Sequence, residues 1–346
     1  MADDVTAPVG PHADAATSPH AGAASRTTRE AAPAAGGGAR RRGPLSASAR
    51  KRLEILFFVA PAMALFVVFI VTPVVQAVRY SAFNWNGLGP LDDFVGLQNY
   101  ANALRDTIFT DAVLNNFFII AASIAIQLPL GLAIALLLNR EIWGRTALRV
   151  IIFVPYVLAE VVAGVIWFML LQPRGIMDAL FATVGLEEYT QLWLGDPDIA
   201  LFTVMVVLTW KYVGLAIILF LAGLQGVPAD LYEAAQLDGA SWWQVQRRIT
   251  IPLLGPTIRT WGFLSMIGSL QLFDMVWILT KGGPANSTMT MAVYLINQGT
   301  NRSLYGYASA VAVILFVISL VLAALYQYFI LRRDNPDAPQ PRKARR

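Results

Sequence analysis

The sequence contains no cysteine and only two histidines, and these absences exclude several kinds of chemistry. Without cysteine the chain has no disulfide, no thiolate nucleophile and no cysteine-ligated metal. His12 and His20 both lie in a low-complexity segment near the amino terminus, so a Ser-His-Asp triad or a histidine-ligated metal site is not expected. No lysine follows a glycine, which excludes a phosphate-binding loop of the G-x-x-x-x-G-K type. We therefore expect no cofactor, no metal and no ATP hydrolysis by this chain.

Charged residues are scarce as well. They make up 14% of the 346 residues, against about 25% in an average soluble chain. Apolar residues make up 56%, and the mean hydropathy is +0.56. So little polar surface cannot cover a soluble globule of this size, and the composition therefore predicts an integral membrane protein. The net charge of +4 is carried by tails and loops and does not indicate nucleic-acid binding.

Six apolar stretches approach the length of about 20 residues that crosses a bilayer as a helix. They lie at about residues 55–78, 113–138, 151–171, 199–221, 260–280 and 308–331. Residues 53–333 are therefore predicted to form an all-α transmembrane domain, between a disordered tail at 1–52 and a basic tail at 334–346. The first stretch is expected to be an uncleaved anchor, because the tail before it lacks the apolar region of a secretory signal.

The distribution of basic residues predicts how these spans are oriented. Arginine and lysine cluster before span one, between spans two and three, between spans four and five, and after span six, whereas the opposite loops are acidic. Under the positive-inside rule both termini are then cytoplasmic, in a multi-pass protein of the cell membrane. Residues 222–259 form a long cytoplasmic insertion between spans four and five. No sequence repeat relates the two halves, so an inverted-repeat secondary transporter is not supported.

The cytoplasmic insertion carries the pattern of two short helices. Pro228 suits the first turn of a helix, and Leu231, Ala234 and Ala235 then form one small apolar face. Gly239 is expected to stop this helix, as glycine does just past a carboxyl end.

A capping box is predicted to begin the second helix of the insertion. Ser241 and Gln244 have the spacing of this motif, and Pro252 is expected to end the helix. Isolated helices of this length are marginal in water, so both helices are expected to rest on another surface.

The same segment resembles the EAA motif of ABC importer permeases, whose pattern is E-A-A-x-x-x-G-x9-I-x-L-P. The sequence departs from it at one place, where Ile251 stands for the usual leucine. The matching positions are Glu233, Ala234, Ala235, Gly239, Ile249 and Pro252.

Other motifs resemble the carbohydrate-transporting branch of this family. They are Asp238-Gly239-Ala240-Ser241 in the insertion, Phe94-Val95-Gly96-Leu97-Gln98-Asn99-Tyr100 in the first outer loop, Thr280-Lys281-Gly282-Gly283-Pro284 after span five, and Gly306-Tyr307-Ala308-Ser309-Ala310 at span six. Together they are similar to a MalF-type sugar permease subunit, with the similarity running from about residue 55 to 331.

This resemblance implies a type I ABC importer permease fold and a function. The chain would move a carbohydrate across the cytoplasmic membrane by alternating access, together with a second, similar permease, two cytoplasmic ATPase subunits and an external sugar-binding protein. The insertion would be the coupling helix that docks on an ATPase subunit. The alternative without a docking role is an ordinary cytoplasmic hairpin with a solvated face. The docking residues implied are Leu231, Glu233, Ala234, Ala235, Asp238, Gly239, Ile249 and Pro252.

Polar residues at membrane depth are candidates for the substrate path. Glu160 lies about 14 Å into span three, near the middle of a core of about 30 Å. Such a carboxylate either accepts a substrate hydroxyl or acts as a gate, or it is a protonated or paired acid at a subunit contact. Gln271 and Asp274 are expected on one face of span five. Asn116 and Trp210 are further candidates, although aromatic residues more often form an interfacial belt.

Two other classes of protein stay open at this point. A secondary transporter or channel subunit would work without an ATPase and would not need the long insertion. A membrane-embedded enzyme would have only carboxylates to use, and Glu160 and Asp274 could pair only if they met in space, whereas their positions in the spans suggest different depths.

Overall fold

The computed structural model describes residues 47–331. The basic tail at 334–346 and most of the predicted disordered tail, including His12 and His20, lie outside these residues. The first helix begins at Ala47, before the predicted start of the transmembrane domain at residue 53. The chain divides into two units by its internal contacts, residues 1–59 and 60–346, and the boundary falls within this helix.

The described chain is helical throughout, apart from loops and one isolated β-bridge between Phe83 and Phe94. The first eight helices are α1 (Ala47–Phe66), α2 (Thr72–Tyr80), α3 (Gln98–Arg105), α4 (Thr107–Ala122), α5 (Leu128–Leu138), α6 (Arg145–Val157), α7 (Glu160–Leu170) and α8 (Ile176–Thr183). They are followed by α9 (Pro197–Gln225), α10 (Ala229–Leu237), α11 (Trp242–Val245), α12 (Ile251–Leu253), α13 (Gly255–Leu270), α14 (Asp274–Leu279), α15 (Met291–Ile296) and α16 (Tyr305–Phe329).

Four helical segments of the described chain are long and apolar enough to cross a membrane, or five if a bent pair counts as one span. The four are Glu54–Tyr80, Thr107–Leu138, Pro197–Gln225 and Tyr305–Phe329. The bent pair is α6 and α7, which meet at 97°. The predicted span at 260–280 is interrupted, because α13 ends at Leu270 and α14 begins at Asp274. The predicted count of six is compatible with this arrangement if each interrupted stretch is taken as one span.

Three prolines within helical stretches are each preceded by a π-helical turn. The turns are Val67–Val71 before Pro73, Ser123–Gln127 before Pro129 and Gln246–Thr250 before Pro252. A proline ring clashes with the carbonyl four residues earlier, and the wider π turn relieves that clash without ending the helix. The prediction that Pro252 ends the second cytoplasmic helix is therefore wrong. The helical path continues through Leu254 into α13.

Helix α9 is the centre of the packed helices. It contacts α5, α6, α13 and α14, and three glycines allow the closest approaches. A Cβ at Gly131 would lie 2.7 Å from Ala216, one at Gly214 2.9 Å from a carbonyl of α6, and one at Gly223 2.6 Å from Thr257. Small residues let membrane helices pack backbone to backbone in this way. By contrast, residues 60–76 are exposed, so that lipid or another subunit must cover them.

Candidate functional site

A break in span three forms the first part of the site. Helix α6 ends at Val157, Leu158 and Ala159 are extended, and α7 starts in a new direction at Glu160. The end of a helix leaves backbone carbonyls without an amide partner, and at membrane depth such groups must be satisfied by the protein. The break therefore requires a donor from another element.

Lys211 of α9 supplies this donor. Its side chain is 2% exposed. Its Nζ donates to the carbonyl oxygen of Pro155 at 3.0 Å, to that of Tyr156 at 3.1 Å, and to that of Leu158. A cation at the carboxyl end of α6 also interacts favourably with the helix dipole. Lys211 is absent from the sequence-based candidates, although a lysine inside the apolar stretch 199–221 is itself the signal that could have found it.

Lys211 and its neighbour Tyr212 both contact Glu160. Lys211 Nζ lies 3.7 Å from Glu160 Oε1, and the Tyr212 hydroxyl donates to the same oxygen at 3.0 Å. Oε2 of Glu160 is buried and makes no hydrogen bond. Of the two sequence-based interpretations, the structure provides the paired acid, but the partner is a span of the same chain. The second carboxylate oxygen stays free to accept a hydrogen bond.

A cavity of about 190 Å³ lies beside this cluster, between α4, α6, α9 and α13. Its polar lining consists of Ser123, Gln127, Tyr156, Tyr212, Ser265 and Ser269, and the rest of the wall is apolar. A mostly apolar cavity with a few hydrogen-bonding groups is typical of small-molecule sites. Because it is smaller than the usual range of about 300–1,000 Å³, it fits at most part of a ligand in this conformation.

The hydroxyls on one wall of the cavity form a short chain. Ser123 donates to Gln127 Oε1 at 2.8 Å, and its Oγ lies 2.7 Å from Oγ of Ser265 on α13. Ser123 and Gln127 bound the π turn of span two, and π turns are frequent at functional sites. Gly268 adds no side chain, and a Cβ there would have no neighbour within 4 Å.

Of the predicted substrate-path residues, Asn116 is buried in the core and Trp210 is half-buried against it. Asn116 is 0% exposed; its Nδ2 donates to Ser269 O at 2.6 Å, and its Oδ1 accepts from Met291 N at 2.9 Å. It thus joins α4 to the end of α13 and the start of α15. Trp210 packs edge to face on Trp167, with the ring centroids 5.4 Å apart. Neither side chain lines the cavity, and substrate contact by them stays a prediction.

The expectation that Gln271 and Asp274 share one helical face is wrong, because α13 ends between them and Asp274 starts α14. Both side chains are exposed. Helix α14 packs against α7, with Gly164 against Ile278, each four residues after the start of its helix. Glu160 and Asp274 therefore begin neighbouring half-helices.

In residues 47–331 there is no group of three or more carboxylates or histidines that could hold a metal ion. The carboxylates at the half-helix starts therefore do not suggest a metal centre.

The predicted cytoplasmic insertion forms its first helix and the start of its second helix as the local pattern predicts. Helix α10 follows Pro228, and the chain leaves it through Gly239 at φ +69°. The capping box is confirmed: Ser241 N donates to Gln244 Oε1 at 2.7 Å, and Gln244 N donates to Ser241 Oγ at 3.4 Å. The side chain of Tyr232 lies 3.3 Å from Oγ1 of Thr250 and ties α10 to the π turn that follows.

Most of the EAA-like residues point away from the rest of the chain. Ala235 is buried and Ile249 is half-buried, whereas the other six docking candidates are exposed: Leu231, Glu233, Ala234, Asp238, Gly239 and Pro252. Leu237 and Trp243 add apolar surface, with 89% and 74% exposed. Since a nine-residue helix is marginal alone, this apolar tip indicates a surface for a partner.

The outer motifs hold the first outer loop against span six. Asn99 Nδ2 donates to Ser81 O at 2.9 Å and to Phe83 O at 3.0 Å. The hydroxyls of Tyr100 and Ser81 lie 2.6 Å apart. Gly306 N donates to Trp85 O at 2.9 Å. These motif residues therefore have a structural explanation that needs no ligand.

A second polar contact joins the start of span two to α15. Asp106 caps α4 by accepting from Ile108 N and Phe109 N, and it also accepts from the Tyr294 hydroxyl at 2.6 Å. Burial, followed by the hydrogen bond to Asp106, raises the pKa of Tyr294, so the hydroxyl stays protonated and donates.

Comparison with known proteins places these features in a family. Residues 127–335 match the family of "binding-protein-dependent transport system inner membrane component". The diacetylchitobiose uptake system permease protein NgcF of Streptomyces coelicolor is 35% identical over 87% of this chain and 88% of its own length. The trehalose/maltose transport system permease protein MalF of Thermococcus litoralis is 32% identical over 78% of this chain and 90% of its own length.

A solved structure has the same fold. It is a chain of a bacterial ABC transporter involved in the import of the acidic polysaccharide alginate, with a TM-score of 0.72 and 22% identity over 82% of this chain and 96% of that one. The same comparison finds a bacterial alginate ABC transporter in complex with its pentasaccharide-bound periplasmic protein, with a TM-score of 0.71. At this identity the likeness establishes the fold alone.

Proposed function

The chain belongs to the family of binding-protein-dependent transport system inner membrane components, and we propose that it is the permease subunit through which a carbohydrate enters the cell by alternating access. The named relatives carry diacetylchitobiose, trehalose and maltose, which supports an oligosaccharide as the transported class. As a membrane-embedded permease subunit the chain performs no chemistry on its substrate.

The exposed cytoplasmic helix α10 is the observation that carries the energy-coupling part of this proposal. ATP is hydrolysed by two separate cytoplasmic subunits, one of which receives α10 in a cleft. Leu231 and Ala234 offer a small apolar face, and Glu233 offers an acceptor for a charge-assisted hydrogen bond from a basic group. The insertion and both termini are then cytoplasmic, as the basic residues of the inner loops predict.

The remaining partners are a second permease of similar fold and an external sugar-binding protein. The exposed apolar residues 60–76 leave a surface for lipid or for that second permease. The external protein would dock on the outer loops, and the likeness to a transporter crystallised with its periplasmic protein supports this assignment.

The cavity beside span four is proposed as part of the substrate path. Sugars are bound by planar hydrogen-bonding groups and aromatic faces, and Gln127, Tyr156 and Tyr212 supply these groups on the cavity wall. Glu160 acts through Tyr212, whose hydroxyl it orients. Asp274 and Gln271, exposed at the break after α13, are proposed to meet the substrate only on its way to this cavity.

The test is uptake by the full complex in proteoliposomes, with labelled diacetylchitobiose, maltose and trehalose as probes. Glu233→Lys should lower ATP-driven uptake at least about tenfold without loss of protein from the membrane, because it reverses a charge at the docking surface. The matched control is Glu141→Lys, the same charge reversal at an exposed position in the loop between spans two and three. Normal uptake by Glu233→Lys would contradict the docking role.

The same vesicles separate the proposal from a secondary carrier. Uptake by the wild-type complex should require ATP and the external binding protein. Flux through the permease alone, without ATPase subunits, would instead establish a secondary transporter or channel.

A further inference from the structure

Lys211 contacts four acceptors, although one carboxylate would already pair a buried cation. A membrane-buried cation is unfavourable unless it is paired, and Lys211 satisfies three backbone carbonyls and one carboxylate at once. All these acceptors belong to the break in span three. One side chain of span four thus holds both halves of span three.

The helix that carries Lys211 is built to bring it to the break. Gly214 lies one turn further along α9, on the side that meets α6. A Cβ there would lie 2.9 Å from Ile152 O and 3.3 Å from Tyr156 Cβ. Because glycine has no side chain, the backbones of α6 and α9 approach closely enough for the ammonium to reach the carbonyls.

The same helix leads directly to the proposed docking segment. Lys211 lies about 21 Å along α9 from its last residue, Gln225, at about 1.5 Å per residue, and α9 is unbroken over this distance. Only Gly226, Val227 and Pro228 separate it from α10. A displacement of α10 therefore acts through a three-residue link on α9, which is one unbroken helix.

The other side of the Lys211 contact is the cavity wall. Tyr156, whose carbonyl accepts from Lys211, and Tyr212, the neighbour of Lys211 in sequence, both line the cavity. A shift of α9 that keeps the Lys211 contacts moves both tyrosines together. A shift that breaks these contacts would move Tyr212 and leave Tyr156 behind.

We propose that Lys211 is a positioning residue that makes the break in span three follow span four, so that movement of α10 reaches the cavity wall. The inference rests on the proposed function, because α10 moves only if an ATPase subunit grips it. Glu160 balances the charge of Lys211 and orients Tyr212. Helix α9 would still pack without Lys211, but the angle between α6 and α7 would no longer be tied to it.

The test compares Lys211→Met, which keeps the length and loses the donors, with Lys211→Arg, which keeps the charge but replaces the converging ammonium by a planar group. Lys51→Met makes the same substitution at an exposed position and is the control. Uptake and binding-protein-stimulated ATP hydrolysis are measured on the same reconstituted complexes. We expect the uptake per ATP of Lys211→Met to fall about three- to thirtyfold, with a smaller fall for Lys211→Arg and none for Lys51→Met.

A second readout follows the cavity wall itself. Because the sequence contains no cysteine, Ser265→Cys introduces the only thiol of this chain, and labelling of this chain reports on the cavity. Its labelling rate should change on trapping the ATPase with ATP and vanadate, and Lys211→Met should abolish this change. A purely structural role would lower the amount of folded complex, but it would leave the trapping response of the remaining complex intact.

The outcomes separate this inference from the proposed function. If the wild-type complex takes up sugar without ATP, the proposed function fails. If it is ATP-driven and Lys211→Met keeps its uptake per ATP within about twofold and its trapping response, the positioning role is refuted. If Lys211→Met does not accumulate in the membrane, the same two measurements are made on Lys211→Arg. A lowered uptake per ATP supports the positioning role. An unchanged uptake per ATP together with an unchanged labelling response to trapping refutes it.

Discussion

Gly306 is a position at which the structure leaves no space for a side chain. It lies in the first turn of α16, directly under the first outer loop. A Cβ at Gly306 would lie 2.0 Å from Phe83 O and 3.0 Å from Trp85 N. Both are backbone atoms and cannot rotate away, so Gly306→Ala must push the loop off the helix. That movement also breaks the hydrogen bond from Gly306 N to Trp85 O.

The expected cost of Gly306→Ala follows from these two effects. Overpacking a tight contact costs about 1–3 kcal/mol, and losing the hydrogen bond adds about 0.5–1.5 kcal/mol. The free energy of unfolding should therefore fall by about 1.5–4.5 kcal/mol. At about 2–4 °C per kcal/mol, the midpoint of thermal unfolding should fall by roughly 3–18 °C.

Gly268→Ala is the matched control, since it makes the same substitution in another membrane helix. A Cβ at Gly268 has no neighbour within 4 Å, and alanine is favoured over glycine in a helix by about 0.5–1 kcal/mol. Gly268→Ala should therefore be neutral or stabilising. Thermal unfolding of both variants is followed in detergent by fluorescence-detected size-exclusion chromatography. Equal midpoints for the two variants would refute the close contact between the first outer loop and span six.

Three further predictions concern stability. Asn116→Ala should lower the free energy of unfolding by about 1–3 kcal/mol, since it leaves the buried Met291 N–H unpaired, and an unchanged midpoint in the same assay would contradict this. Gly239→Ala should cost about 1 kcal/mol because of its positive φ, and Gly239→Asn should cost less; equal midpoints for the two variants would argue against the left-handed turn. Asp106→Ala should cost about 1 kcal/mol as a lost helix cap, plus about 0.5–1.5 kcal/mol for the lost hydrogen bond from the Tyr294 hydroxyl, which keeps only its contact with the Tyr307 hydroxyl; an unchanged midpoint would contradict this.

In the predicted cytoplasmic insertion, most of the secondary structure could be predicted from the local sequence. Its first helix, the glycine that stops it and the capping box were all predictable, because each depends on residues within one or two helical turns. The end of the second helix was not. A proline normally interrupts a helix, and only the formation of a π turn in front of Pro252 lets the helix continue.

The roles of the candidate substrate residues could not be predicted from the local sequence. Asn116 and Trp210 are polar or aromatic residues at the right depth, but whether such a side chain faces a cavity or the core depends on how the spans are rotated. Gln271 and Asp274 have helical spacing, but the helix breaks between them. A lysine inside the apolar stretch 199–221 is visible in the sequence, but its partners exist only where span three breaks beside it.

The sequence by itself determined the membrane environment and the family, and it predicted the approximate spans and a docking motif in the insertion. Composition, hydropathy and short motifs are properties of contiguous residues, and water or lipid acts on them before any tertiary contact forms. Only the tertiary structure decided which polar groups at membrane depth are partners. Lys211 and Glu160 are far apart in the chain, and they meet because Gly214 lets α9 approach α6 at the end where span three breaks. In a bilayer unpaired backbone carbonyls are costly, so that break and the lysine that satisfies it depend on each other.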